Sequence, residues 1–125
     1  MTVRVAVVDD TEHVRGMLVS MLSLDGFEVV GEGSRGEDAL DLARDLSPDV
    51  LVIDYSMPDM DGLTAARMVK ESVPKQGIIL YTAYLDDALR DQAREAGVAI
   101  CVGKVEGLET LERSISELCL QLGSK

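Results

Sequence analysis

Four short apolar runs in this chain each end on residues that carry a charge or a hydroxyl. Residues 5–8 run into Asp9 and Asp10, 50–53 into Asp54, 78–81 into Thr82, and 98–102 into Gly103 and Lys104. Uninterrupted apolar runs of this length suit strands covered on both faces, which is the situation of a parallel sheet. In an open α/β sheet the carboxyl ends of the strands form the edge where ligands bind. The pattern therefore gathers three carboxylates, a hydroxyl and an ammonium at one edge of one sheet. Three carboxylates so placed repel one another unless a cation sits among them, and a nearby Lys and Thr are suited to hold an anion.

The segments between the runs have helical spacing. Residues 12–24 carry Val14, Met17, Leu18, Met21 and Leu22 three and four apart, and Asp25-Gly26 stops the pattern. Residues 27–30 predict a short second strand, and 31–36 a polar loop. Residues 37–46 predict a helix with Ala39, Leu40, Ala43 and Leu46 on one face, ended by Ser47-Pro48. Further helices are expected over 63–72, 86–96 and 109–122. The last has Leu108, Leu111, Ile115, Leu118 and Leu122 on a buried stripe, and 123–125 reads as a frayed end. Asp86 and Asp87 stand where acids favour a helix start. Five strands alternating with five helices, joined by right-handed crossovers, give an α/β, doubly wound parallel sheet with helices on two faces.

Composition narrows the rest. At 125 residues the chain is one domain, 1–125, with a core of its own. Aromatic residues make up only 3 %, so the interior must be aliphatic, with the methionines after the first expected mostly as core filler. Met57 and Met60 lie beside Pro58 and read either as partner surface or as part of a rigid loop. Against 12 Lys and Arg stand 23 Asp and Glu, a net charge of −11, which argues against direct nucleic-acid binding. No apolar stretch reaches the ~18 residues of a membrane span. The first strand begins at once, leaving no room for a signal peptide. Cys101 and Cys119 have no metal-ligand or redox spacing and read as core thiols of a cytoplasmic protein. His13 reads as a solvent-facing helix residue.

The motifs at the strand ends occur in a recognisable order. Val7-Val8-Asp9-Asp10 closes the first strand, Leu51-Val52-Ile53-Asp54 the third, and Met57-Pro58-Asp59-Met60-Asp61-Gly62 forms the loop beyond it. Thr82-Ala83 follows the fourth strand, and Lys104 the fifth. With these residues the chain resembles the receiver domain of two-component response regulators over essentially its whole length. The runs Gly31-Glu32-Gly33 and Gly36-Glu37-Asp38-Ala39-Leu40 resemble the subgroup with a helix-turn-helix DNA-binding output. The resemblance implies a flavodoxin-like sheet of order 2-1-3-4-5. It implies Asp54 as the phosphoryl acceptor, with Thr82 and Lys104 holding the transferred group. It also implies Mg²⁺ on Asp10, Asp54 and the Ser56 carbonyl, with Asp9 mainly through water; Mn²⁺ suits the same oxygen donors. The implied partners are a sensor histidine kinase or a phosphotransfer protein. The implied output is altered partner binding, a phosphorylation-driven homodimer, or a C-terminal output domain absent from this sequence.

Each residue also has an ordinary structural role. Asp9, Asp10 and Thr11 are able to cap the first helix, Asp54 to start a loop, Thr82 to sit in a turn, and Lys104 to be a solvated surface lysine. Their convergence at one edge favours the site.

Departures from the family pattern concern the switch and the rim. Cys101 stands where an aromatic residue is usual, and a small thiol cannot report the state of Thr82 as a ring does. Tyr84, two beyond Thr82, is placed to cover the mouth of the site and slow hydrolysis, with Ser56 and Ala83 at the same rim. Val105 replaces the usual proline, so a trans Lys104–Val105 bond is expected. Two other functions compete. One is a degenerate receiver acting as a phosphorylation-independent binding module, motivated by Cys101 and Val105. The other is a small-molecule phosphatase, which needs a general acid where Ser56 stands.

Overall fold

The computed structural model describes residues 2–123. Its elements run β1 (Arg4–Val8), α1 (Glu12–Leu24), β2 (Glu28–Gly33), α2 (Gly36–Leu46), β3 (Val50–Ile53), α3 (Gly62–Ser72), β4 (Gly77–Thr82), α4 (Asp87–Glu95), β5 (Ile100–Gly103) and α5 (Leu108–Gly123). All strand pairs are parallel, and the sheet order is β2-β1-β3-β4-β5, as the resemblance implied. The order reverses between β1 and β3, which opens a crevice at their carboxyl ends.

The sheet alternates its side chains between two cores. Ala6, Val8, Leu51, Ile53, Ile78 and Leu80 face Ala39, Ala43, Ala65, Ala66 and Val69 of α2 and α3, and Ala93 of α4. Val5, Val7, Val50, Val52, Ile79 and Tyr81 face Leu18 and Leu22 of α1 and Leu111, Ile115 and Leu118 of α5. Alanines on the first side let three helices approach closely. On the second face, leucines and Ile115 of α1 and α5 pack against the sheet.

Three expectations change. The polar loop over 31–36 starts later than read, because β2 continues through Gly33; Ala6, Val7 and Val8 of β1 pair with Gly31, Glu32 and Gly33 after a register shift at Val5/Ala6. Side chains beyond hydrogen would strike Leu42 and Asp38 there, so the glycines mark close helix–strand packing. The methionines are not core filler. Met17 and Met21 are exposed, while Met57, Met60 and Met68 are half-buried, because the two inner faces are already filled by branched aliphatics. The thiols Cys101 and Cys119 are half-buried rather than interior. Of the expected frayed end, Gly123 lies in α5, and Ser124 and Lys125 lie outside the described residues.

Where α1 ends against α5, two acids meet. Asp25 is the C-cap of α1, and Glu112 of α5 has a buried Oε2 that receives no hydrogen bond. Burial, then the neighbouring Asp25 and Glu109, push Glu112 up to about 7. A folded-state value above the unfolded one means that ionising Glu112 destabilises the fold, progressively between about pH 4.5 and 7. Allowing for partial solvent screening, Glu112→Gln gains about 1 kcal/mol at pH 8, and the gain fades toward pH 4.5. Urea unfolding at the two pH values checks this; an equal gain at both ends would remove the carboxyl pair as its cause.

Candidate functional site

Four strands deliver the site. Asp9 follows β1, and its amide donates to the Gly33 carbonyl at 3.0 Å; Asp54 follows β3, and its amide donates to the Val8 carbonyl at 2.9 Å. Both residues thus extend the ladder, so their side chains are aimed by the sheet itself. Asp9 is 1 % exposed and Asp54 8 %, whereas Asp10 is open to solvent. One carboxylate oxygen from each of Asp9, Asp10 and Asp54 lies within 4.8 Å of the others.

Lys104 enters from the end of β5. Its Nζ donates to Asp9 Oδ2 at 3.1 Å and stands 3.4 Å from Asp54 Oδ2. Asp9 Oδ1 accepts from the Thr11 amide at 2.9 Å, and Asp54 Oδ1 from the Tyr55 amide at 2.8 Å. Burial raises the Asp54 carboxyl above its ordinary value, against the opposing pull of Lys104. Desolvation lowers Lys104, but Asp54 and Asp9 outweigh it and hold the ammonium above its usual range. Three carboxylates face one ammonium here. That excess of negative charge on hard oxygen donors fits a divalent cation of the Mg²⁺ kind.

Thr82 closes β4 opposite Gly103 and is 4 % exposed. Together with Asp10, Asp54, Ser56, Ala83, Tyr84 and Lys104 it lines an open cleft of ≈ 650 Å³. Tyr84 is among the lining residues but is 88 % exposed. Cys101 is not brought into the cleft: it packs against the core on the α4 side and lines a separate hollow with Arg90 and Arg94. Val105 is 90 % exposed on a neighbouring groove, and no peptide bond among the described residues is cis, so Lys104–Val105 is trans as expected. His13 is exposed, as read from the sequence.

Some contributors escaped the sequence reading. Arg15 of α1 donates through Nη1 to the Asp9 carbonyl at 2.8 Å and through Nε to Glu32 at 3.0 Å, clamping the turn that carries the acids. Asp59, in the loop after Asp54, accepts from the Gly36 and Glu37 amides at 2.7 and 3.1 Å, so this loop caps α2. Slight desolvation of Asp59 is outweighed by those bonds, which hold its carboxyl below the usual range. Glu106 Oε2 accepts from the Gly103 amide at 2.7 Å within the 3₁₀ turn Lys104–Glu106. Tyr81, 4 % exposed, lies beneath the site with its ring centroid 5.7 Å from Lys104 Nζ. The only sequence trace of these roles was a carboxylate in a glycine-flanked turn or an arginine one helical turn past the acids.

The profile of the response regulator receiver domain matches residues 5–116. The chain belongs to that family. This receiver is 37 % identical over 117 residues to the response regulator GacA of Pseudomonas aeruginosa, covering 93 % of the chain and 55 % of GacA. It is 35 % identical over 116 residues to VraR of Staphylococcus saprophyticus, covering 92 % of the chain and 56 % of VraR. The chain thus spans about half the length of these curated relatives. Among solved structures it is similar to the NarL signal receiver domain of Mycobacterium tuberculosis, with TM-score 0.86, 33 % identity and coverage of 94 % and 96 % of the two chains. A BeF3-activated DrrB receiver domain gives TM-score 0.79 and 30 % identity over 94 % and 97 %. No helix among the described residues is long and apolar enough to cross a membrane.

Proposed function

We propose that this receiver takes a phosphoryl group from a phosphohistidine of a sensor histidine kinase or phosphotransfer protein onto Asp54. The observation that carries the reading is the Asp54 carboxylate, within 4.8 Å of Asp9 and Asp10 oxygens and 3.4 Å from the Lys104 ammonium, at the carboxyl end of β3. An Asp54 oxygen attacks phosphorus, the P–N bond of the phosphohistidine breaks, and the imidazole leaves with the bonding pair; an acyl phosphate results. A carboxylate is a weak nucleophile toward an anion, so neutralising the phosphoryl oxygens is the main demand on the site. Lys104 supplies a positive charge to one oxygen, and the Thr82 hydroxyl donates to another.

Asp10, Asp54 and the Ser56 carbonyl would hold Mg²⁺, or Mn²⁺, with Asp9 acting mainly through water. The bound ion supplies further charge neutralisation to the phosphoryl oxygens. Water attacking in line later removes the group, and Tyr84 and Ala83 at the mouth govern its approach. Output is altered protein contact: a homodimer, a downstream protein, or a C-terminal output domain.

Intact-protein mass after incubation with acetyl phosphate and Mg²⁺ tests the reading. The wild type gains one phosphoryl group, and Asp54→Asn or added EDTA abolishes the gain. A wild type left unlabelled by both acetyl phosphate and a phosphorylated histidine donor would overturn it in favour of a phosphorylation-independent binding module.

A further inference from the structure

We infer that Tyr81 is a positioning residue, its buried ring serving as the platform that aims the Lys104 ammonium into the acidic cleft. The inference rests on the proposed phosphoryl chemistry for its functional consequence, but its geometric content stands without it.

A lysine on a flexible four-carbon stem holds one direction only if several contacts converge on its head. Lys104 has contacts from two sides. Asp9 at 3.1 Å and Asp54 at 3.4 Å draw Nζ toward the cleft. From below, the Tyr81 ring lies 5.7 Å from Nζ, inside the ~6 Å range over which the negative face of an aromatic ring attracts a cation. Tyr81 is the penultimate residue of β4 and pairs in register with Val102, two before Lys104. That register puts the ring under the lysine stem. Being 4 % exposed and packed in the core between sheet, α1 and α5, the ring has no room to swing away.

The backbone after Lys104 makes this support consequential. Val105 is 90 % exposed and offers the lysine no packing, and Gly103 before it has no side chain. The chain instead turns through a 3₁₀ turn held by the Glu106 carboxylate on the Gly103 amide. This fixes the Lys104 backbone but not its side chain. Attraction to Asp9 and Asp54 alone leaves Nζ free to follow whichever carboxylate is unneutralised. A ring on the opposite side keeps it centred, so that it meets a phosphoryl oxygen rather than collapsing onto Asp9 when Asp54 is modified. The face of the ring performs this task; the hydroxyl is not required.

The test has a structural and a kinetic arm, using Tyr81→Phe and Tyr81→Leu. In the wild type, proton NMR shows one lysine ε-methylene signal displaced upfield by ring current and identified by its loss in Lys104→Arg. The displacement persists in Tyr81→Phe and disappears in Tyr81→Leu. In the kinetic arm, the rate of acetyl-phosphate labelling at saturating Mg²⁺ falls about five- to tenfold in Tyr81→Leu, with little change in the Mg²⁺ concentration for half-maximal rate, and Tyr81→Phe restores the rate. Tyr81 is buried in the core, so a general loss of packing in Tyr81→Leu would lower stability and Mg²⁺ affinity along with the rate. A misaimed lysine instead lowers the rate and spares the metal site. The inference is overturned if the wild-type lysine signal is undisplaced, if folded Tyr81→Leu labels at the wild-type rate, or if Tyr81→Phe is as slow as Tyr81→Leu. If Tyr81→Leu fails to fold, the wild-type displacement and the Tyr81→Phe rate decide. A wild type that accepts no phosphoryl group would refute the proposed chemistry, and the NMR arm would still decide the position of the ring.

Discussion

Saturating Mg²⁺ is expected to raise the melting temperature of this receiver by about 10 °C, and Asp10→Asn to remove most of that rise. The cause is charge. Asp9, Asp10 and Asp54 present oxygens within 4.8 Å of one another, and Lys104 offsets only part of their repulsion. A cation bound to the folded state alone, at 100 times its dissociation constant, stabilises by about 2.7 kcal/mol. For a domain of this length each kcal/mol corresponds to roughly 4 °C. Asp10 is solvent-exposed, so replacing it with asparagine removes a ligand without opening the core. The metal-free variant therefore melts at or above the wild-type temperature while its response to Mg²⁺ largely disappears. Differential scanning fluorimetry across a Mg²⁺ titration reads both quantities. An undiminished response in Asp10→Asn would place the cation elsewhere.

The second large effect concerns Lys104. In metal-free buffer at pH 7, Lys104→Met costs about 2 kcal/mol of stability. Removing one partner of a fully buried ion pair costs roughly 3–5 kcal/mol because the other charge stays desolvated. Here the cleft opens to solvent and the Lys104 side chain is 22 % exposed, which reduces the penalty. Methionine keeps most of the stem's volume, so the loss reports charge rather than a cavity. Added Mg²⁺ then stabilises the variant more than the wild type, because the ion takes over part of the ammonium's work. Chemical denaturation with and without Mg²⁺ measures the gap. A metal-free variant as stable as the wild type would mean that Asp9 and Asp54 are already well solvated.

The acids and Lys104 are legible in the sequence because their positions follow from strand ends. Asp9, Asp54, Thr82 and Lys104 each terminate an apolar run, and a parallel sheet brings such ends together whatever lies between them. Element order was legible for a related reason: apolar spacing of one kind or the other runs through nearly every segment. It failed at β2, where Gly31 and Gly33 look like loop residues, because the demand for them comes from Leu42 and Asp38 on a helix. The methionines misled for a similar reason. Hydrophobic type marks residues that tolerate burial, but Val, Leu and Ile on the sheet had already filled both inner faces.

Position along the chain said nothing about which residues would support the acids and the lysine. Arg15 reaches the Asp9 carbonyl across a turn, Asp59 caps a helix 22 and 23 residues earlier, and Tyr81 lies under Lys104 from a neighbouring strand. The sequence by itself determined the α/β alternation, the sheet edge and the identity of the chemical groups along it, since those rest on local periodicity and strand ends. Only the tertiary structure decided how those groups are aimed. Register between strands and the packing of helices on them set distances of a few ångströms, and these depend on residues far apart in the chain.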